Sequence, residues 1–472
     1  MKKISELLRG VSVVEDPYAP NSKVYGITCD SRKVKNGYMF FVTDGNRKFI
    51  AESIKNGAKY IVTDDKEYIG NYLVVENIRI AMARISANYY DNPQENLKFI
   101  CLVGTNGKTS TAHIIDELLS LNYKTTLIGT IGATIGDKDY PIDMTTPDPE
   151  ILYEILKLSV DEGVDYVIYE NSAHSIALQK TYGIVNDIGV FTNISQDHLD
   201  FFKDFSVYAN TKINYFNAKN MKKCVVNGDD EFGKTIIKNN SNRCISYGID
   251  EPNEVFAIKI DMQKRMNFVC NVFDDILYID TSLYGRMNVY NIMAAITVAR
   301  LCGVECGTIE TLLSCIKPIP GRFNIVNENP RIIIDFAHTP DGLKNVLSEA
   351  RKLTNGRLIV VFGCGGNRDR LKRPIMGKIA SNLSDVVILT NDNPRYEDPI
   401  DIIGEITAGV DKSKTLAVPD RSEAIRYAIS LAKPGDTVCI CGKGCENYID
   451  VMGEKILYND FETCKNFLSG RK

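Results

Sequence analysis

Residues 98–121, KFICLVGTNGKTSTAHIIDELLSL, decide the reading of this chain. The opening run KFICLV is apolar and of strand length, and STAHIIDELLSL places its apolar side chains at helical spacing, so the glycine-punctuated GTNGKT lies between a strand and a helix. A phosphate-binding loop requires that context. Gly104 and Gly107 let the backbone N–H groups around Thr105 and Asn106 face an anion, and the helix that follows adds its N-terminal dipole. Lys108 can reach the terminal phosphates of a nucleotide, Thr109 can offer a hydroxyl to Mg²⁺, and Ser110 belongs to the same polar turn. The spacing is shorter than the general GxxxxGK[ST] form, and ATP is the ligand it favours.

Working outward, VDYVIYENS and DIGVFTNIS read as further strands. Between about 255 and 284 the runs VFAIKI, MNFVCNVF and ILYIDTSLY alternate like antiparallel strands, ahead of a helix starting near Asn288. Upstream, residues 1–96 mix short helices with the strands GYMFFV, KYIVTD and YLVVE and end in the linker-like DNPQENLK. Downstream, prolines and glycine interrupt both periodicities in KPIPGRFNIVNENPR. Five strands then alternate with four helices, as a doubly wound parallel sheet requires. The expected fold class is α/β in three domains. These are a mixed α/β domain (1–96), a P-loop ATPase-like domain with a small antiparallel sheet (97–325), and a Rossmann-like domain (326–472).

A chain of 472 residues agrees with that count, at about 150 residues per domain. Lys and Arg total 56 against 60 Asp and Glu, a net charge of −4, so no broad basic field exists for nucleic acid. No apolar run approaches the roughly 18 residues of a membrane span, and no signal peptide is visible, so a cytoplasmic protein is expected. The 13 cysteines are odd in number and scattered, which reads as buried hydrophobes in a reducing compartment. Cys439, Cys441 and Cys445 lack a paired CxxC, against a zinc site.

In α/β sheets, ligands bind beyond the carboxyl ends of the strands. Glu170 closes one strand, and His198 follows another in Asn193–Asp200 (NISQDHLD). Three of the four histidines, His174, His198 and His338, fall in such loops. In the last domain the post-strand loops are DFAHTP, GCGGNRDR, DNPR and GKGCE. Gly363, Gly365 and Gly366 do not match GxGxxG, against NAD. The loops mix fixed cations with carboxylates, which suits a zwitterionic ligand or, alternatively, an ion-pair network at a domain interface.

GTNGKT, TTPDP (Thr145–Pro149), ENSAH (Glu170–His174), FTNISQDHLD, GRMNVYN (Gly285–Asn291), PGR (Pro320–Arg322), DFAHTPDGL, FGCGGNRDRLKRP and DNPRYEDP together resemble the Mur ligases over nearly the whole chain. Within that family the likeness is to the MurE type, the ATP-dependent amino-acid ligases of peptidoglycan precursor assembly. The resemblance implies that Lys108 and Thr109 hold ATP and Mg²⁺, that Glu170 and His198 take metal, and that Lys212 is the family's carbamylated lysine, whose carbamate is a further metal-binding anion. It further implies nucleotide contacts from Asn288, Asn291, Arg322 and Asp335. Contacts to a UDP-N-acetylmuramoyl-dipeptide would come from Ser31, Thr145, Thr146, Ser172 and Lys180. Arg368, Asp392, Asn393, Pro394, Arg395, Gly442 and Glu446 would form an amino-acid site, with Arg395 favouring meso-diaminopimelate over L-lysine. The partners expected are these small molecules, with neither nucleic acid nor membrane, and the enzyme is expected to be a monomer.

Departures from the family pattern lie on the substrate side. MFFVTDGNRKFI lacks a longer loop, Ala173 replaces a second serine, Lys180 replaces an arginine and Cys445 a histidine. Two further readings remain open at this level: a relative joining an amino acid to another carboxylate, and a non-catalytic nucleotide-binding scaffold. Intact Lys108, Glu170, His198 and Lys212 weigh against the scaffold.

Overall fold

The structure, a computed structural model, describes residues 1–217, 221–262 and 265–470. Three sheets organise it. The first contains β1 (Val13–Glu15), β2 (Gly26–Thr28), β3 (Tyr38–Phe41), β4 (Ala58–Thr63) and β5 (Leu73–Val75), in the order β1-β5-β4-β3-β2. Helix α1 (Ile78–Tyr89) covers one face, where Met39, Phe41, Tyr60 and Val62 meet Ala81, Met82 and Ile85. Asn77 starts α1 by accepting hydrogen bonds from the N–H groups of Arg79 and Ile80. The linker-like stretch is ordered. Pro93–Asn96 forms a 3₁₀ turn, and Leu97 alone separates it from the next strand.

The second sheet is built on β6 (Lys98–Val103), which leads into α2 (Lys108–Leu119). It continues with β7 (Thr125–Gly129), β8 (Gly132–Ile135), β9 (Lys138–Tyr140), α3 (Pro149–Asp161), β10 (Tyr166–Glu170), β11 (Asn186–Phe191), α4 (Phe205–Asn217), β12 (Met221–Asn227) and β13 (Cys244–Gly248). A meander of β14 (Val255–Asp261), β15 (Met266–Val272) and β16 (Asp275–Thr281) follows, then α5 (Arg286–Leu301). The order is β9-β8-β7-β10-β6-β11-β12-β13-β14-β15-β16. Helices on both faces bury the strands, with α2 and α5 over one side and α3 and α4 over the other.

The antiparallel strands are present as the alternation predicts, but they are no separate small sheet. β14 joins β13 in parallel at Tyr247–Val255 and Gly248–Phe256, so the meander extends the central sheet to eleven strands. Alternation identifies the buried face, here Val255, Ala257, Phe268, Cys270 and Leu277, yet carries no information about which neighbour's edge a strand joins.

The third sheet comprises β17 (Asn324–Glu328), β18 (Arg331–Asp335), β19 (Leu358–Phe362), β20 (Val386–Leu389), β21 (Thr415–Ala417) and β22 (Thr437–Cys441), in the order β17-β18-β22-β19-β20-β21. Helices α6 (Pro340–Lys352), α7 (Lys372–Leu383), α8 (Pro399–Thr407) and α9 (Arg421–Leu431) lie between its strands. The hairpin β23 (Tyr448–Val451) and β24 (Glu454–Leu457) precedes α10 (Asp460–Leu468). β17 is an antiparallel edge strand with a bulge between Ile325 and Asn327. Its polar sequence hides it from a hydrophobic-period reading, because an edge strand need bury only part of its surface. Among the described residues, no helix is long and apolar enough to cross a membrane.

Candidate active site

In the central sheet β10 and β11 flank β6 in parallel, with Glu170 opposite Leu102 and Phe191 opposite Val103. The loops after all three strands therefore emerge along one edge, at the point where the strand order reverses. Gly107 opens α2 with φ +86°, and a Cβ there would lie 2.6 Å from the Asn291 Oδ1 on α5. A Cβ on Gly104 would lie 1.9 Å from the Thr192 hydroxyl. The loop is held from behind: Thr105 N donates to the Asn193 carbonyl (2.8 Å), Asn106 N to Asn193 Oδ1 (2.9 Å), and the Thr192 hydroxyl to the Asn106 carbonyl (2.7 Å). The Lys108 ammonium donates to the carbonyls of Gly104 and Thr105, both at 3.0 Å. Burial pulls its pKa below the lysine range, and Glu170 and Asp197 oppose that shift.

Glu170 is buried, and its two oxygens accept from Thr130, one from N–H (2.8 Å) and one from the hydroxyl (3.2 Å). Thr130 also meets the Thr145 hydroxyl at 3.1 Å. His198 sits in the left-handed region at φ 55°, its ring edge-on to His174 and its Nε2 3.3 Å from Asp197. Burial pushes the His198 imidazole down to about 3, so it is neutral. Burial alone would raise the Asp197 carboxyl, but His198, Lys372 and His338 outweigh it, and the group stays ionised. Lys212, on α4, is fully buried under the phosphate loop, donating to Thr105 Oγ1 (3.1 Å) and to the Tyr208 hydroxyl, with its ammonium 4.0 Å from the Tyr208 ring centre. Burial, reinforced by Lys108, takes its pKa far below the usual range.

The third sheet presents its own row of loops. Asp335 accepts from Phe323 N and Ala337 N, both at 2.7 Å, and burial raises its pKa. Arg322 stacks on Phe336, 4.4 Å from the ring centre, and reaches the central sheet by donating to the Thr109 hydroxyl (3.0 Å). Asp341, at the start of α6, accepts from the Asn106 side chain at 3.0 Å. Burial acts against the Asp392 carboxylate, yet Lys443 and Arg421 hold its pKa low. Asn393 donates to Glu446 (2.9 Å) and accepts from the buried Lys443 (2.9 Å). Arg395, at φ 53°, donates to the Gly366 carbonyl (2.8 Å), and burial and Arg395 together lower the pKa of Arg368.

These loops face one another across a cavity of about 650 Å³. The run from Thr105 to Ser110 lines it, with Thr145, Glu170, Ser172 and His198 from the central sheet. Asn288, Asn291, Arg322 and Asp335 line it where α5 and the third sheet meet, and Arg368, Asp392, Asn393, Arg395, Gly442 and Glu446 form the far wall. Six expected site residues stand outside that wall. Gly104 packs against Thr192, and Lys212 lies behind Thr105. The Thr146 hydroxyl donates to the Glu170 carbonyl (2.8 Å), and Lys180 ties the same loop through the Thr146 carbonyl (3.1 Å) and Asp148 (3.0 Å). Pro394 turns the DNPR loop, its carbonyl accepting from Glu397 N at 3.0 Å. Ser31 lies in a 3₁₀ turn after β2, capped by Asp30. Among the described residues, no group of three His, Cys, Asp or Glu side chains gathers as a metal cage.

Sequence reasoning gave no role to Asp341, Lys372 or Lys443. Lys372 carried a signal, because it opens α7 beside Arg373, where two cations oppose the helix dipole and call for carboxylate partners. Asp197, 4.0 Å from Lys372 across the two sheets, is one of them.

A P-loop unit and a doubly wound unit sharing one cleft define a class of nucleotide-dependent ligase, and comparison with known proteins bears this out. The Mur ligase middle domain matches residues 102–299, and the Mur ligase glutamate ligase domain matches residues 321–444. The chain belongs to the Mur ligase family. It is 40% identical to the UDP-N-acetylmuramoyl-L-alanyl-D-glutamate–2,6-diaminopimelate ligase of Clostridium botulinum, over 92% of each chain. It is also 40% identical to the ligase of that name from Caldanaerobacter subterraneus, over 99% of each. A solved structure of a ligase of that name superposes with a TM-score of 0.67 at 28% identity, covering 100% of this chain and 99% of the other.

Proposed function

We propose that this chain is the ATP-dependent ligase that joins an amine of meso-diaminopimelate to the glutamate carboxylate of UDP-N-acetylmuramoyl-L-alanyl-D-glutamate. The observation that carries the reading is that Lys108 and the Arg368–Arg395 pair line one cavity, so a nucleotide phosphate and an amino-acid carboxylate can be held in a single chamber. Residues 1–96 would then receive the nucleotide sugar, 97–325 the ATP, and 326–472 the amino acid.

A carboxylate resists an amine because its leaving oxygen would be an oxide. Transfer of the γ-phosphoryl group to it gives an acyl phosphate and ADP, and attack by the amine then releases phosphate. Lys108 exchanges its two carbonyl acceptors for phosphate oxygens and stabilises the charge that gathers in transfer. Asn288, Asn291 and Asp335 hold the nucleoside end, and Arg322 couples it to the third sheet. Arg368 and Arg395 orient the amino acid through its carboxylates, with Asp392 and Glu446 near its ammonium groups. Closure of the cleft around both reactants excludes water from the acyl phosphate.

The donors also suit Mg²⁺, which asks for few protein ligands because substrate phosphates and water fill most of its shell. The Thr109 hydroxyl, the Glu170 carboxylate and the neutral His198 imidazole line the cavity and can serve. Among the described residues Lys212 forms no ion pair with a carboxylate, and burial holds its pKa well below the usual lysine range; its amine is thus more readily deprotonated and can take up CO₂, losing a proton to become an anionic carbamate behind the phosphate loop. When bound, the ion would screen the phosphate charge during transfer.

Phosphate release from ATP tests the proposal. It is expected only when meso-diaminopimelate and UDP-N-acetylmuramoyl-L-alanyl-D-glutamate are both present. Release that ignores the identity of either, or none with any amino acid, would sink it.

A further inference from the structure

Below the two arginines of the far wall lies an ion-pair network to which neither the fold nor the ligase reading gives a role. Arg373, on the first turn of α7, is fully buried. Its guanidinium grips Glu397 with two parallel bonds (2.8 and 3.0 Å), takes Glu405 on the same Nη1 (2.8 Å) and donates to the Gly365 carbonyl (3.2 Å). Arg370 pairs with the other oxygen of Glu405, and the Asn367 N–H with Glu397. Two cations and two carboxylates thus pair with one another, although the buried Arg373 Nε has no hydrogen-bond partner.

Glu397 stands two residues after Arg395 on the same loop, close enough in sequence to neutralise it. Instead it is turned away. Arg368 has no ion pair or hydrogen bond among the described residues. The Arg395 side chain has, among the described residues, the Gly366 carbonyl at 2.8 Å and a loose ion pair with the Asp450 carboxylate at 3.7 Å. Burial and, after it, the neighbouring Arg395 depress the Arg368 pKa against the pull of Asp200 and Asp197, so the charge at this wall is a cost the fold bears. Resting on the ligase reading, we propose that Arg373 is a positioning and specificity residue: by sequestering Glu397 it keeps a further carboxylate off Arg368 and Arg395, which then meet the carboxylates of the incoming amino acid, and by holding Gly365 it sets the loop that spaces them.

The test is a comparison of variants of the full chain. Arg373→Met releases Glu397, and KM for diaminopimelate is expected to rise about tenfold or more, while KM for ATP changes by less than about twofold. Adding Glu397→Gln to Arg373→Met removes the competing carboxylate, and most of the KM rise should disappear. A purely structural role for Arg373 would leave the double variant as poor as the single one, and that result would overturn the proposal, as would an unchanged KM in Arg373→Met. Should Arg373→Met not fold, the same comparison in the Arg373→Gln background, which also removes the charge that holds Glu397, decides between the same outcomes. A crystal structure of the soluble variant tests the sequestration independently of the reaction. Glu397 should lie within ion-pair distance, about 4 Å, of Arg395 or Arg368; if it stays beside Glu405, the sequestration idea fails even where the ligase assay succeeds. Absence of diaminopimelate-dependent turnover in the unaltered chain would instead count against the ligase reading alone.

Discussion

At the scale of single residues, the site gathers groups whose pKa values burial displaces. The half-buried Lys108 rests on carbonyl partners that a phosphate can replace. Lys108→Met should lower kcat by about 10³-fold or more with the fold retained, as judged by circular dichroism alongside phosphate release. Lys212 is more deeply buried, and its burial costs stability. Its folded pKa lies below the unfolded one, so between the two values the unfolded chain binds more protons and stability rises with pH. Lys212→Met should therefore abolish turnover yet stabilise the protein at pH 7, by about 1 kcal/mol. The gain should shrink as pH approaches the ordinary lysine range, and thermal melts across pH in CO₂-free buffer would show it. Either lysine could be suspected from its neighbours in sequence, but its burial could not be.

At the scale of elements, the turn from β6 to α2 is the most constrained. Gly107 combines φ +86° with a close approach to Asn291, whereas Gly70 has φ +89° and no atom near its added Cβ. Both Gly→Ala changes should pay for backbone strain, about 1 kcal/mol each. Only Gly107→Ala should also weaken ATP binding, because it alone displaces a residue of the cavity wall; calorimetric titration with ATP separates the two. The strand–loop–helix order around this turn was readable because hydrophobic periodicity and glycine placement are local properties. The edge strand β17 and the joining of β13 to β14 were not, since both depend on which distant backbone edge lies nearby.

At the scale of the whole molecule, the working cavity exists because two sheets turn their carboxyl edges toward each other. Arg322 to Thr109 and Asn106 to Asp341 are the bonds that hold the phosphate loop against the third sheet. Arg322→Ala should raise KM for ATP about tenfold while that for diaminopimelate moves less than about twofold, in steady-state assays with the other substrates saturating.

The sequence by itself determined the α/β class, the phosphate loop, the family and the residues from which the cavity wall is drawn. Those follow from short-range pattern and motif, which any observer of the chain can read. Only the tertiary structure decided that Lys212 and Lys180 stand behind the wall and not in it, that Lys372 meets Asp197 across the cleft, and that Arg373 draws Glu397 away from Arg395. A side chain's charge state and its partners are set by burial and by distances between segments far apart in sequence, and neither is written in the order of residues.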